Sequence, residues 1–375
     1  MSEKAPLGYQ LNTTIGKSKL TLMKLFIDPI LVLSILALLI FGLFVLYSAS
    51  GQSTSMLQKQ ALYVVFGLVM MFFISRLDQT VYKSFLMHLF WIGLILLLWV
   101  LIFPAEGYKA DRWIDLGFIN FQPSEVLRLL LPLAAASYLT RGHRKLALKD
   151  WLITLSAIFL CSFLIYKQPD LGTALIVLAS GCIPVLLAGF PLIILLVFLI
   201  LIGATSPFIW ANLSPYMQQR VITLFNPESD LLGAGWNISQ SKTAIGSGGI
   251  SGKGYLNGTQ SQLDFVPEGH SDFIFSVIGE EFGFLGIFLL FLIYCLLLFR
   301  VFSIAFNSST EFSRLAATSI GFIFLLYILI NVSMTVGTLP VVGVPLPLIS
   351  QGGTAIVIHL VAFGFVLSMK KRQTW

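Results

Sequence analysis

The chain has 375 residues and a formal net charge of +6, and 57% of its residues are hydrophobic whereas only 11% are charged. This composition excludes a soluble catalytic domain, because apolar runs recur at helix length along nearly the whole sequence. About 20 apolar residues span a bilayer as a helix whose backbone groups bond internally. The sequence therefore predicts an all-α polytopic integral membrane protein.

Ten apolar segments are predicted to span the membrane. They lie near 30–49, 60–76, 82–103, 122–140, 151–167, 171–188, 190–210, 273–299, 315–337 and 352–369. We expect one membrane domain over residues 1–375, with a polar cytoplasmic tail that has no cleavable signal, followed by seven spans, a large extracytoplasmic loop, three spans and a second cytoplasmic tail. The limits of these parts are 1–29, 30–210, 211–271, 272–369 and 370–375.

Basic residues indicate the orientation, because Lys and Arg concentrate in short cytoplasmic segments. With both termini in the cytoplasm, 15 of the 23 basic residues fall on the inner side. The positive charge is therefore a topology signal and not a nucleic-acid footprint. This orientation places the polar segments 108–125, 167–172, 212–272 and 339–353 on the outer face.

Two of these outer segments contain many glycines or prolines. The glycines from Gly246 to Gly254 fit neither a P-loop nor a dinucleotide-binding pattern, so they predict tight turns in a compact loop. Pro340, Pro345 and Pro347 exclude an uninterrupted helix. We expect a broken or re-entrant segment there that lines a cavity, where such backbone is tolerated at membrane depth.

Asp272 ends a polar stretch and precedes the apolar run Phe273-Ile274-Phe275. A carboxylate at the mouth of a membrane helix is costly to desolvate, which favours a functional role. The alternative is a helix N-cap, a position that Ser271 is also able to fill. His270 and Asp272 alone make a weak metal site, because a third His or Cys is missing nearby.

Five motifs together resemble the SEDS family (shape, elongation, division and sporulation). They are Arg112-Trp113-Ile114-Asp115-Leu116-Gly117, Phe121-Gln122-Pro123-Ser124-Glu125, Gln168-Pro169-Asp170-Leu171-Gly172, the run from Asp264 to Phe275, and the run from Pro345 to Gly353. The segment Asn226-Pro227-Glu228-Ser229-Asp230 resembles the elongation branch more than the division branch. The chain departs from the family at Gln351, where Tyr is usual, and at Lys59, where Arg is frequent.

The resemblance implies a peptidoglycan glycosyltransferase in the bacterial cytoplasmic membrane. Such an enzyme joins lipid II to undecaprenyl-pyrophosphate-linked glycan on the outer face during elongation. A class B penicillin-binding protein and other elongation-complex proteins are the implied partners. The alternatives are a lipid II flippase or transporter, a division-specific polymerase, and a scaffold that only holds the transpeptidase.

The resemblance assigns Asp272 as the general base. One carboxylate suffices for an inverting transfer from a lipid pyrophosphate, unlike the pair that glycosidases need. No metal site or certain cofactor is predicted, although Mg²⁺ or Mn²⁺ is compatible with bridging the pyrophosphate. Cationic, polar and aromatic residues on the outer side are the candidates for substrate binding: Lys59, Arg112, Trp113, Gln122, Glu125, Arg128, Asp170, Gln240, Lys242 and Ser350.

Several of these candidates have structural alternatives. Trp113 is also suited to anchoring the chain at the membrane interface. Arg128 follows Glu125 by three residues in an apolar span, which predicts an intramembrane ion pair. Asp170 fits a helix cap, and the consecutive acids at 280 and 281 are expected to bond neighbouring helices or backbone.

Overall fold

The computed structural model describes residues 28–103, 114–115, 120–142, 146–168, 170–212, 218–219, 222–223, 226, 233–263 and 265–370. These residues are mostly helical. In chain order the helices are α1 Pro29–Ala49, α2 Thr54–Arg76, α3 Gln79–Ile102, α4 Pro123–Leu139, α5 Leu148–Lys167, α6 Leu171–Leu187, α7 Leu192–Asn212, α8 Ala234–Ser247, α9 Thr259–Gln262, α10 Ile274–Phe306, α11 Glu311–Thr335 and α12 Gly353–Met369. Between α3 and α4, the short strands β1 Ile114–Asp115 and β2 Asn120–Phe121 pair in antiparallel fashion.

Most helices coincide with predicted spans. Within the described residues, six helices (α1, α2, α3, α5, α10 and α11) are long and apolar enough to cross a membrane, and α6 and α12 are shorter apolar helices. Two helices exceed their predicted spans by more than five residues at one end, since α2 starts at Thr54, where Ser53 caps it, and α10 continues to Phe306. The sequence prediction missed α8, which lies inside the predicted large loop.

Helix α11 is central to the bundle. It packs against α4, α6, α10 and α12, whereas α12 packs mainly along α2 and α10 also contacts α1. Large side chains fill the space around it, with Tyr294, Tyr327, Phe324 and Phe363 almost fully buried. Many of the other apolar side chains remain exposed on the outside of the helices, as expected where lipid replaces water.

Asp28 joins three chain segments at one end of the bundle. Its buried carboxylate accepts hydrogen bonds from the Leu31 amide at 3.1 Å, from Arg300 Nη2 at 2.7 Å and from Lys370 Nζ at 2.9 Å. Burial raises the pKa of Asp28, but the hydrogen bonds from Arg300, Lys370 and Leu31 outweigh it and hold this pKa below its ordinary value. The start of α1, the last turns of α10 and the end of α12 therefore lie on the same side.

Helix α10 is broken at Gly283, where φ is +63° and ψ is −159°. The glycine-rich loop 248–254 supplies the hydrogen-bond partners that the helix loses at the break. The four backbone bonds are Lys253 N to Glu280 O and Gly254 N to Glu281 O at 3.0 Å, Phe284 N to Gly249 O at 2.9 Å, and Leu285 N to Ile250 O at 3.0 Å. The predicted tight turns are confirmed by positive φ values at Gly249, Gly252 and Gly254.

Close approach to α10 predicts opposite effects for two neighbouring glycines. Gly248 has an ordinary φ of −74°, but a Cβ there would overlap the Gly279 carbonyl oxygen. We expect Gly248→Ala to lower the free energy of unfolding by about 1–3 kcal/mol. Gly246 has open space around it inside α8, so Gly246→Ala should be neutral or stabilising by up to about 1 kcal/mol. Thermal and denaturant unfolding in detergent would compare the two, and equal effects would contradict the packing account.

A second prediction concerns the carboxylate at the other end of the bundle. Asp28→Asn keeps a good N-cap but leaves the charges of Arg300 and Lys370 without their shared partner. We expect a loss of about 3 kcal/mol in the free energy of unfolding, at the low end for a broken buried ion pair because both cations reach solvent. The matched control is Asp78→Asn at the exposed N-cap of α3, with an expected change within about 0.5 kcal/mol. Equal losses of unfolding free energy in the two variants would mean that Asp28 acts only as a helix N-cap, which would contradict the ion-pair account.

Candidate active site

Asp272 lies in the turn that immediately precedes α10, at the opposite end of that helix from Arg300, and is partly exposed. The N-cap position of α10 is Phe273, and this residue gives no side-chain cap bond. Phe273 is 1% exposed and packs with Ala244 of α8, Val266 and Val341. The packing of Phe273 thus fixes the backbone on the helix side of Asp272.

Asn331 holds the backbone of Asp272 from α11. Its fully buried side chain donates from Nδ2 to the carbonyl oxygen of Asp272 at 2.9 Å and to that of Val344 at 2.7 Å. The Asp272 carboxylate faces the same loop, because a Cβ on Gly343 would lie 3.4 Å from its Oδ2 atom. One amide therefore sets the position of Asp272 against the segment 341–346.

Ser350 fastens the turn from another side. Its hydroxyl donates to the Ser271 carbonyl at 2.5 Å and accepts from the Leu346 amide at 2.8 Å. The Gln351 amide adds a bond of 3.0 Å to the carbonyl of His270. Ser350, predicted to bind substrate, is thus 2% exposed and engaged with backbone.

The segment 340–352 is not helical, as predicted, and residues 346–350 are buried. Gln60 on α2 holds it by donating to the Ser350 carbonyl at 3.0 Å and accepting from the Gly352 amide at 3.3 Å. Leu348 has a φ of +63°, a strained value for a non-glycine residue that persists where the surroundings over-determine it. Lys59, one residue before Gln60, is exposed.

The two consecutive acids of α10 bond neighbouring segments, and the prediction for them is confirmed. Glu280 accepts hydrogen bonds from Lys253 Nζ at 2.8 Å and from the backbone amides of Gln260 and Ser261 at 2.8 and 3.0 Å. Glu281 accepts from Ser48 of α1. Glu280 thereby ties residues 253–261 to the part of α10 that precedes its break, and Glu281 ties α1 to the same part.

The predicted ion pair between Glu125 and Arg128 is not found among the ion pairs of the described residues. Arg128 instead donates from Nη1 to the Tyr327 hydroxyl at 2.6 Å, and its guanidinium carbon lies 4.6 Å from the ring centroid. Its side chain therefore contacts α11 through Tyr327. Glu125 Oε2 has no partner among the described atoms.

The remaining predicted residues that the structure describes lie around the same end of the bundle. Asp170 caps α6 by accepting from the Thr173 amide at 3.0 Å, which confirms the capping alternative, and Gln122 occupies the N-cap position of α4. Lys242 is exposed on α8, with Nζ 2.7 Å from the position that a Cβ on Gly337 would occupy. Gln240, two residues earlier, is partly buried. Arg112 and Trp113 lie outside the described residues.

The partly exposed carboxylate of Asp272, the exposed Lys59 and Lys242, and the hydrogen-bonded segment 340–352 lie at one end of the bundle. Ser241, next to Lys242, donates to the Thr335 carbonyl at 2.8 Å, one helical turn beyond Asn331. Such an arrangement is suited to proton abstraction beside an anionic group. Among the described residues, no cluster of three or more His, Cys, Asp or Glu side chains is placed to hold a metal ion.

Sequence reasoning missed Asn331 and Gln60 as contributors to the site. An available signal was the amide of Asn331 inside the apolar span 315–337, because buried polar side chains in such spans need partners. Gln60 stood at the predicted start of a span and gave no distinctive signal. Its role depends on the fold of a segment 290 residues away.

Comparison with curated proteins finds relatives along almost the whole chain. The chain is 43% identical to the peptidoglycan glycosyltransferase MrdB of Escherichia coli over 347 residues, which cover 92% of this chain and 94% of that protein. It is 34% identical to the probable peptidoglycan glycosyltransferase FtsW of Trichlorobacter lovleyi, covering 91% and 92%.

Solved structures agree in fold. A chain of a peptidoglycan synthase complex of polymerization and crosslinking matches with a TM-score of 0.80 and 31% identity, covering 91% of this chain and 96% of that one. The rod shape determining protein RodA of Thermus thermophilus matches with a TM-score of 0.69 and 28% identity, covering 91% and 95%. The family model described as FTSW_RODA_SPOVE, cell cycle protein, matches residues 29–374. The chain therefore belongs to the FtsW/RodA/SpoVE family of cell cycle proteins.

Proposed function

We propose that this chain is a peptidoglycan glycosyltransferase that polymerises lipid II into glycan strands. The names of MrdB and of the peptidoglycan synthase complex support this activity. The observation that carries the proposal is the partly exposed carboxylate of Asp272, whose flanking backbone is held by Asn331 and Ser350. A proton acceptor fixed in this way suits a single displacement at a sugar carbon.

In the proposed reaction, Asp272 accepts the proton of the attacking sugar hydroxyl. The oxygen forms a bond to the anomeric carbon of the other substrate, the bond from that carbon to the pyrophosphate oxygen breaks with inversion, and its electron pair leaves with the pyrophosphate. Lys59, Lys242 and Arg112 are proposed to stabilise this leaving charge. A divalent cation, Mg²⁺ or Mn²⁺, would serve the same purpose if it bridges the pyrophosphate, with most of its oxygen ligands coming from substrate.

The other predicted binding residues have two kinds of proposed role. Gln122, Asp170 and Ser350 are buried or bonded to backbone, so they would shape the site. Trp113, Glu125, Arg128 and Gln240 are proposed to contact sugar or pyrophosphate, with Arg128 anchored on Tyr327.

The proposed membrane arrangement has ten spans in a single domain, with both termini in the cytoplasm and the site facing the periplasm. Asp272 and Arg300 lie near opposite ends of α10. The uninterrupted part from Phe284 to Arg300 has 16 rises of about 1.5 Å, roughly 24 Å, and the turns before the break at Gly283 add to this length, which suits a hydrocarbon core of roughly 30 Å. Basic residues gather at the Arg300 end, where Lys370 also lies, which supports placing this end inside.

Elongation is the proposed setting, with a class B penicillin-binding protein and elongation-complex proteins as partners. The identity to MrdB, 43%, exceeds the 34% to the FtsW relative. A lipid II transporter would need polar groups along the path to the inner face. Arg128 lies only five residues after the start of α4, on the side of Asp272, which favours chemistry at one face.

Asp272→Asn tests the base assignment, because the amide cannot accept the proton. We expect strand formation from labelled lipid II, by purified chain with its transpeptidase partner, to fall at least about 100-fold. Glu268→Gln is the matched control, since it neutralises an exposed acid four residues earlier, and it should retain activity. Undiminished polymerisation by Asp272→Asn would reject the assignment.

Asn331→Ala tests whether positioning matters for turnover. Loss of the two bonds to backbone should let Asp272 shift, lowering kcat about 10- to 100-fold while KM changes little. Ser319→Ala removes a buried hydroxyl bonded to the Leu315 carbonyl elsewhere on α11 and serves as the control for general destabilisation. A similar fall of kcat in both variants would assign Asn331 a purely structural role.

A further inference from the structure

Helices α3, α4 and α5 form an apolar groove of about 620 Å³ on the outside of the bundle. Trp91 of α3, Leu131 of α4 and Leu160 of α5 line it, and Ala157 of α5 contributes a small side chain to the same lining. Trp91 and Leu160 are among the exposed large apolar side chains of the chain. The groove is remote from Asp272 and plays no part in the proposed reaction.

The groove has the length of one lipid leaflet. Along α4 and the two residues after it, the groove extends from Leu131 to Arg141, and ten helical rises give about 15 Å, which is half of a hydrocarbon core of about 30 Å. Its Arg141 end adjoins a second cavity shared by Thr140 and Arg314. Because α11 starts there, next to the end of α10, the groove opens at the Asp28 end of the bundle. In the proposed orientation this is the cytoplasmic leaflet.

Two polar groups occupy the open end of the groove. The Tyr138 hydroxyl is buried and has no hydrogen-bond partner among the described atoms, a costly state unless a ligand supplies an acceptor. The Arg141 guanidinium lies 3.6 Å from the Tyr138 ring centroid, and its side chain is 54% exposed. Among the described residues, its one contact with an acid runs from Nη2 to Asp150 at 3.7 Å, which leaves the other guanidinium nitrogens for a ligand.

We propose that this groove binds one bilayer phospholipid with an anionic headgroup. One acyl chain lies in the apolar trough between α3 and α5, the Tyr138 hydroxyl donates to an ester or phosphate oxygen, and Arg141 binds the phosphate. Charge complementarity favours an anionic headgroup, because Asp150 contacts the guanidinium through one nitrogen and Lys149, the residue before Asp150, is exposed. The bound lipid would fill the space between helices that protein side chains leave open.

Native mass spectrometry of the delipidated full chain, titrated with phosphatidylglycerol or phosphatidylcholine, tests the proposal. We expect one phosphatidylglycerol per chain, bound about fivefold more tightly than phosphatidylcholine. Ala157→Phe should abolish retention by filling the trough, and Tyr138→Phe should weaken it while leaving the Arg141–Asp150 contact intact. Leu62→Phe on the exposed face of α2 and Tyr166→Phe on α5 are the matched controls and should bind as the unaltered chain does.

The headgroup contact has its own comparison. Arg141→Gln should abolish the preference, so that phosphatidylglycerol and phosphatidylcholine bind about equally. The control is Arg76→Gln, which alters an exposed arginine stacked on Phe72 at 5.0 Å and should preserve the preference. Equal loss in both arginine variants, or unchanged binding after Ala157→Phe, would overturn the proposal. Displacement of the phospholipid by equimolar undecaprenyl phosphate would also overturn it, because the groove would then be a polyprenyl site.

Discussion

The hydrogen bonds of the Asn331 amide are the interaction on which the Asp272 end of the bundle depends. Backbone carbonyls outside helices are costly to bury, because no water is at hand to bond them. Two such carbonyls, of Asp272 and Val344, meet at this side chain. A single residue of α11 thereby joins the start of α10 to the irregular segment before α12. These two hydrogen bonds fix the backbone of Asp272 and thereby the position of the carboxylate proposed for catalysis.

The need to provide hydrogen-bond partners for buried backbone groups also explains the other irregular parts of the chain. The break of α10 at Gly283 is possible because the loop 248–254 supplies two donors and two acceptors to the interrupted helix. The side chains of Ser350 and Gln60 supply hydrogen-bond partners to backbone groups of the segment that contains the strained Leu348. Backbone segments held by such hydrogen bonds at the Asp272 end suit a site that is preorganised for its substrate.

Hydropathy, proline and glycine placement predicted much of this architecture, because helices in lipid need little beyond length and apolar composition. The position of Asp272 before a helix, the non-helical segment after α11 and the cap at Asp170 followed from local sequence. The break at Gly283, helix α8 and the partner of Arg128 did not. Each of these depends on a contact between segments distant in sequence, as when Tyr327 of α11 takes the place predicted for Glu125.

The carboxylate of Asp28 holds the start of the first helix next to the end of the last one. It lies beside the first turn of α1 and is 2.9 Å from the ammonium nitrogen of Lys370, the residue after α12. The start of α1 and the end of α12 are thus near neighbours in space. A short peptide joining them would bridge little distance, so a circularly permuted chain opened at a different interhelical turn should reach the same fold. The order in which the helices are inserted would change, while their final contacts would not.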